Sequence, residues 1–339
     1  MTISTVICRL TQPLLNISSV SSKINVTTLP RQKEKVVLVM GATGAGKSRL
    51  SIDLARRFPA EIINSDKMQV YEGLDIVTNK ITEKEQRGVP HHLLGTQNPN
   101  SEFTATNFCE KASLTIETIR SRGKLPIIVG GSISFLEALI DDDDDYKFRS
   151  RYDFCCLWVD VGMPVLHSYV AERVDEMFKK GMVNELRAFF NPKGDYSRGI
   201  RKAIGVPEFD EYFRRETQAD EETRQRLLEE ALREMKDNTQ KLAGKQLGKI
   251  QSLRNMKRWK IQRVDATSAF RKRGEEEEAN EEWRKMVAEP SAMIVAQFLL
   301  NLKTTTKSGV AGGLRLPSLE SAIASSSHLQ PLGAHSCPV

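Results

Sequence analysis

Residues 41–48 read Gly41, Ala42, Thr43, Gly44, Ala45, Gly46, Lys47, Ser48, between a short apolar run and a helical one. Glycines at this spacing let successive backbone N–H groups turn inward around an anion, and the start of the next helix adds a favourable partial charge. Lys47 then reaches an outer phosphate, and Ser48 is placed to ligate Mg²⁺. The stretch is expected to bind a phosphate or diphosphate; a structural glycine-rich turn is the competing reading. The loop alone does not decide whose phosphate. A GTPase would add an Asn-Lys-x-Asp base-reading motif, and none follows. An ATPase would end an apolar strand in a metal-holding acid, a place open to Asp160, for which an ordinary strand-end aspartate is an equal reading.

Asp66, in Asn64-Ser65-Asp66-Lys67, directly follows a second apolar run. That puts it at the carboxyl edge of a sheet, beside the loop, where ligands of α/β proteins bind. Spacing leaves two roles open to Ser65 or Asp66, capping a helix start and doing proton chemistry. His91 and His92 are adjacent, so their rings diverge on helix or strand alike, and they read as packing rather than as a metal pair. Five acids at 141–145 read as a solvated loop, since flexible neighbouring carboxylates fix a coordination shell poorly. The five cysteines lack the two-residue spacing of a thiol metal site; Cys155 and Cys156 read as core, and no disulfide is expected.

Elements that would hold these residues follow from hydrophobic periodicity. Residues 36–40 (VVLVM) form a short continuous apolar run, the mark of a parallel strand buried on both faces. Residues 61–64, 126–129 and 154–161 are further strands, each followed by a turn and a helical segment. Such alternation predicts an α/β fold, a P-loop-type parallel sheet flanked by helices. Beyond 161 the pattern turns helical: Leu166, Tyr169, Val170, Val174, Met177 and Phe178 share one face, and Gly181 stops the helix. Another helical stretch runs over about 221–259, with a last strand near 263–265. The expected organisation is a core at 34–162, a mainly helical lobe at 163–262, and a return strand with C-terminal helices at 263–303.

The ends differ from the body. Residues 1–33 are rich in Ser and Thr, carry Arg9, Lys23, Arg31 and Lys33, and hold no acid. That is the composition of an organelle transit peptide, with plastid preferred because hydroxyl residues far outnumber arginine, and a cytoplasmic extension as the alternative. Residues 304–339, with a glycine cluster and three consecutive serines, read as a flexible tail. The net charge of +6 falls mostly at the ends, leaving 34–303 at +1. A nearly neutral body has no global field for a polyanion. No apolar run approaches the ~20 residues of a membrane span, so no membrane partner is expected.

Six ordered blocks carry a resemblance: GATGAGKS at 41–48, NSDKMQVYEGLDIVTNKIT at 64–82, VPHHLLG at 89–95, IIVGGS at 127–132, RVDEMFKKGMVNELRAFF at 173–190 and YSRGIRKAIGVPE at 196–208. Together they resemble the isopentenyltransferase family, and within it the plant branch acting on adenylates. The resemblance covers roughly 35–302. It implies transfer of a dimethylallyl group from dimethylallyl diphosphate to N6 of an adenine nucleotide, the first step of cytokinin synthesis. In that reaction the loop cradles the prenyl donor's diphosphate, with Mg²⁺. By the same resemblance Asp66 is the base, Thr43 donates a hydrogen bond to the oxygen bridging carbon and phosphorus, and Ser132 ends a second glycine turn near the diphosphate.

The resemblance is imperfect at two places. The family usually has Ala-Cys-Arg-Gln where this chain has Ala243, Gly244, Lys245, Gln246, and a tyrosine is common at Phe135. Lys245 keeps a diphosphate-binding charge but loses the arginine fork. Lys241, Lys245 and Lys249 recur every four residues, as either a phosphate-holding stripe or a solvated helix face. Two rival functions stand beside the first. A tRNA dimethylallyltransferase would be expected to show a broad basic surface and, in eukaryotes, a Cys/His zinc finger; neither is evident, so tRNA is not the expected partner. A P-loop regulatory switch would leave the Asp66 segment unexplained. A monomer is expected.

Overall fold

The computed structural model describes residues 33–141 and 147–302. The expected transit segment up to residue 32, the tail, Cys8, Cys337 and four of the five clustered aspartates lie outside the described residues. Asp141 lies within them and is paired with Arg149 and Lys257.

Six parallel strands form one sheet: β1 (Glu34–Met40), β2 (Ala60–Asn64), β3 (His91–His92), β4 (Leu125–Gly130), β5 (Tyr152–Asp160) and β6 (Ile261–Asp265), in the order β3-β2-β4-β1-β5-β6. Central β1 is covered on both faces, and Leu38 stands opposite Ile128 on one side and Cys156 on the other. This is why 36–40 carries no polar residue. Cys155 and Cys156 are buried free thiols; burial pushes the Cys155 thiol up to about 12 and Cys156 higher still, so both pack as core. The two-residue β3 has no periodicity to betray it. It joins the edge because Ile62 and Ile63 pair with His91 and His92.

Two helices bring their own residues to the sheet's carboxyl edge. In Met163–Lys179, Leu166, Val170, Val174 and Met177 are buried, Pro164 sits in the first turn, and Gly181 follows with a φ of 93°. Phe178, expected on the same face, is instead 39% exposed. The helix Glu221–Asn255 is opened by Asp220, whose carboxylate accepts the Thr223 N–H at 2.7 Å, and buries a single stripe from Leu227 to Leu253. It ends before the expected Trp259, where the Trp259 N–H returns to Leu253 O at 3.1 Å. Gly244 faces open space on the outer side. Its cost there is the ~1 kcal/mol of backbone freedom. A compact unit extends through Val295 and a second begins at Ala296, of which residues 296–302 are described.

At the far end of β2, Glu61 is 3% exposed and accepts bonds from Lys124 at 2.9 Å, His92 at 2.7 Å and Arg122 at 2.5 Å. Burial by itself would raise its pKa, but these three partners outweigh it and bring it down to about 2. The stability this contributes is present above the ordinary value of 4.5 and is lost as pH falls toward 2. Glu61→Gln should therefore cost about 2–3 kcal/mol at neutral pH and flatten the acid limb of stability, read by urea unfolding across a pH series. An unchanged acid limb would remove Glu61 from this role. The adjacent histidines diverge: His92 serves Glu61, while His91 Nδ1–H donates to Val89 O at 2.8 Å and His91 reaches the cleft described below.

Candidate active site

The carboxyl ends of β1, β2 and β4 converge on one cleft of about 760 Å³. β1 delivers the loop 41–48, β2 delivers Asp66, and β4 delivers Gly130, Gly131 and Ser132. Thr43, Gly44, Gly46, Lys47 and Ser48 line the cleft; Gly41, Ala42 and Ala45, expected as phosphate ligands, do not. Their parts are internal. A Cβ on Gly41 would lie 2.5 Å from Val159 O, the Ala45 N–H closes onto Ala42 O at 3.2 Å, and Ala42 O also accepts from Lys47 Nζ at 2.8 Å. The Thr43 amide is likewise engaged, by Gln246 Oε1 at 2.7 Å. What remains for an anion is the Gly44 and Gly46 amides and the first amides of the helix Lys47–Ala55, which have no intrahelical acceptor. Gly46 has the left-handed φ of 93° that the turn needs, and a side chain there would meet Trp283 at 2.6 Å.

Lys47 is the charged element of this cradle. Burial lowers its pKa to about 8, with Asp66 opposing that shift and Arg173 adding to it. Arg173 comes from the Met163–Lys179 helix, and its Nη2 donates to Thr43 Oγ1 at 3.0 Å.

The residues after Asp66 form a turn and not a helix, so the capping expected of its spacing is done for a turn. Asp66 Oδ1 accepts the Met68 N–H at 2.9 Å and the Gln69 N–H at 3.4 Å, closing the turn after β2. Oδ2 has no hydrogen-bond partner among the described residues, and Asp66 lines the cleft. Asn64 fixes the segment by accepting the Asp66 N–H at 3.1 Å and donating to Leu93 O at 2.9 Å. Ser132 Oγ accepts the Lys67 N–H at 2.8 Å, so it ties the second glycine turn to the Asp66 segment while lining the cleft. Gly130 is glycine because a Cβ would lie 2.3 Å from the buried Ser65 hydroxyl.

Lys245 and Lys249 line the cleft from the long helix; Lys241 does not, and its Nζ reaches Asn238 at 3.4 Å. Asp160 does not line the cleft either. It pairs with Arg263 of β6 at 2.7 Å, so the strand-end reading is the correct one. Phe135 is buried in the core, stacked on Phe108 at 4.9 Å, away from the cleft, so the missing tyrosine hydroxyl takes nothing from the site. No group of three His, Cys, Asp or Glu able to hold a metal occurs among the described residues. The donor set suits Mg²⁺ only as that ion is held in phosphate sites, by one hydroxyl, here exposed Ser48, with phosphate oxygens and water completing the shell. Sequence reasoning missed Gln246 and Arg173 as site residues. The signal for each was present, a polar residue at an inward position of an otherwise apolar helical stripe.

An anion cradle of loop amides at the edge of a parallel sheet, faced by a carboxylate across one cleft, defines a P-loop-like α/β protein. A family model described as IPP transferase matches residues 69–150 and 141–252. Adenylate isopentenyltransferase 3, chloroplastic, from Arabidopsis thaliana is 59% identical over 271 residues, covering 80% of this chain and 80% of that protein. Adenylate isopentenyltransferase 7, mitochondrial, from the same species is 50% identical over 293 residues, covering 86% and 88%. Among solved structures, a eukaryotic dimethylallyltransferase acting on tRNA matches with a TM-score of 0.67 at 24% identity, covering 81% of this chain and 82% of that one. The chain belongs to the IPP transferase family. Among the described residues no helix is long and apolar enough to cross a membrane.

Proposed function

We propose that this chain transfers the dimethylallyl group from dimethylallyl diphosphate to the exocyclic N6 of an adenine nucleotide, releasing diphosphate, as the first step of cytokinin synthesis. One observation carries this reading: the amide cradle with Lys47 and the unengaged oxygen of Asp66 face the same cleft. In the reaction the bond between the allylic carbon and the bridging oxygen breaks as the N6–C bond forms. Negative charge develops on the departing diphosphate, where the loop amides and Lys47 stabilise it. The Thr43 hydroxyl donates to the bridging oxygen. The adenine amino nitrogen is a weak nucleophile because its lone pair is delocalised into the ring. Asp66 Oδ2 takes its proton as the bond forms. Ser48 would hold Mg²⁺ against the diphosphate, and the ion would supply further neutralisation of the leaving group. Lys245 and Lys249 add positive charge to the cleft wall.

A nucleotide acceptor is favoured over tRNA by the near-neutral body and by the identity to adenylate isopentenyltransferases over most of both chains. One chain supplies every group named here, which supports action as a monomer. The acid-free, Ser/Thr-rich residues 1–33 support delivery to a plastid, in keeping with relatives named chloroplastic. Purified protein incubated with labelled dimethylallyl diphosphate and Mg²⁺ should prenylate AMP, ADP or ATP. Transfer to tRNA alone, or to no acceptor, would overturn the reading.

A further inference from the structure

We propose that Gln246 is a positioning residue for this transfer, acting through Thr43. The inference rests on the reaction assigned above. Gln246 is 8% exposed, on the inward stripe of the long helix, next to Lys245. Its Oε1 accepts the Thr43 N–H at 2.7 Å and its Nε2 donates to Gly131 O at 2.9 Å. The amide therefore bridges the two glycine turns, from β1 and from β4, and both bonds require one orientation; a flipped amide would set donor against donor and acceptor against acceptor. Gly131 is glycine for this bridge, since a Cβ there would lie 2.5 Å from Gln246 Nε2.

The consequence falls on the Thr43 hydroxyl. With the Thr43 backbone held by Gln246, Oγ1 accepts from Arg173 Nη2 at 3.0 Å. An oxygen that accepts on that side must point its own proton elsewhere. Thr43 is thereby set as a donor toward the cleft, the role required at the bridging oxygen. Gln246 also withdraws the Thr43 amide from the ligand, so the loop meets the diphosphate through Gly44 and the residues from Gly46 onward. Gln246 lines the cleft, but its amide oxygen and nitrogen are both engaged by the two glycine turns, so its effect should appear in the chemical step and should depend on Thr43.

A double-mutant cycle tests this. Gln246→Met, near in volume but lacking both bonds, should lower kcat up to ~10²-fold, the cost of a misplaced reacting geometry. In a Thr43→Ala background the same change should lower kcat by no more than about twofold, because the group being positioned is gone. If Gln246→Met fails to fold by circular dichroism, Gln246→Asn carries the same cycle, keeping a polar amide at this position but one methylene too short to bridge Thr43 and Gly131. A full, multiplicative loss in the Thr43→Ala background, or a kcat within twofold of wild type for the single variant, would overturn the proposal. Wild-type protein without prenyl transfer would instead overturn the reaction on which it rests.

Discussion

Asp66→Asn should lower kcat by about 10³-fold while leaving affinity for dimethylallyl diphosphate within a few-fold of wild type. The magnitude is that of losing a positioned base. Asparagine suits the test because of what the carboxylate does with its other oxygen. Asp66 Oδ1 closes the turn after β2 by accepting the Met68 and Gln69 amides, and an asparagine Oδ1 can accept the same two bonds. The amide nitrogen that replaces Oδ2 cannot take a proton from N6. Thermal unfolding of the variant should therefore stay close to wild type while turnover falls. Asp66→Ala would lose both functions at once, and its stability loss would obscure the catalytic one. Donor affinity, measured by isothermal titration with the diphosphate, reports the cradle separately. Retention of most of the wild-type rate in Asp66→Asn would take Asp66 out of the base role.

How far such a site can be read without coordinates depends on how local the information is. The loop 41–48 and the buried strand before it announce themselves because backbone geometry demands glycine and a doubly covered strand demands an apolar run. Asp66 was placed correctly for the same reason, being two residues beyond β2. The edge strand His91–His92 was missed because two residues carry no period. Asp160 stood equally poised between metal ligand and strand end, and only β6 decided it, since Arg263 arrives from more than a hundred residues away. Gln246 was the hardest to read. Its place on the inward stripe marks it as a polar residue turned to the protein interior, but its bonds to Thr43 and Gly131 span 203 and 115 residues, and nothing local says what it meets there. The cradle was over-read in one respect: a glycine-rich loop looks as if all its amides serve the ligand, yet Thr43 and Ala45 turn theirs to protein acceptors.

Lys47→Met should raise the KM for dimethylallyl diphosphate and lower kcat by ~10²–10³-fold, because the lysine contacts charge that is present in the bound donor and grows as it departs. The same change should stabilise the ligand-free protein at neutral pH, by about 2 kcal/mol. Burial holds the folded pKa of Lys47 at about 8 against 10.5 in the unfolded chain. Below pH 8 both states carry the proton and the folded one bears the cost of a buried charge. Between those values the folded state releases the proton first, so stability rises with pH across that window. Methionine removes the charge and with it both the cost and the rise. Activity should move the opposite way. Diphosphate binding favours protonated Lys47, so above pH 8 wild-type protein must take up a proton as the donor binds, and its donor affinity should weaken. Calorimetric titrations just above pH 8, in two buffers of different ionisation heat, should show that uptake in wild type and its absence in Lys47→Met. Equal proton uptake in the two proteins would assign the ionisation to the donor itself and leave Lys47 without this part.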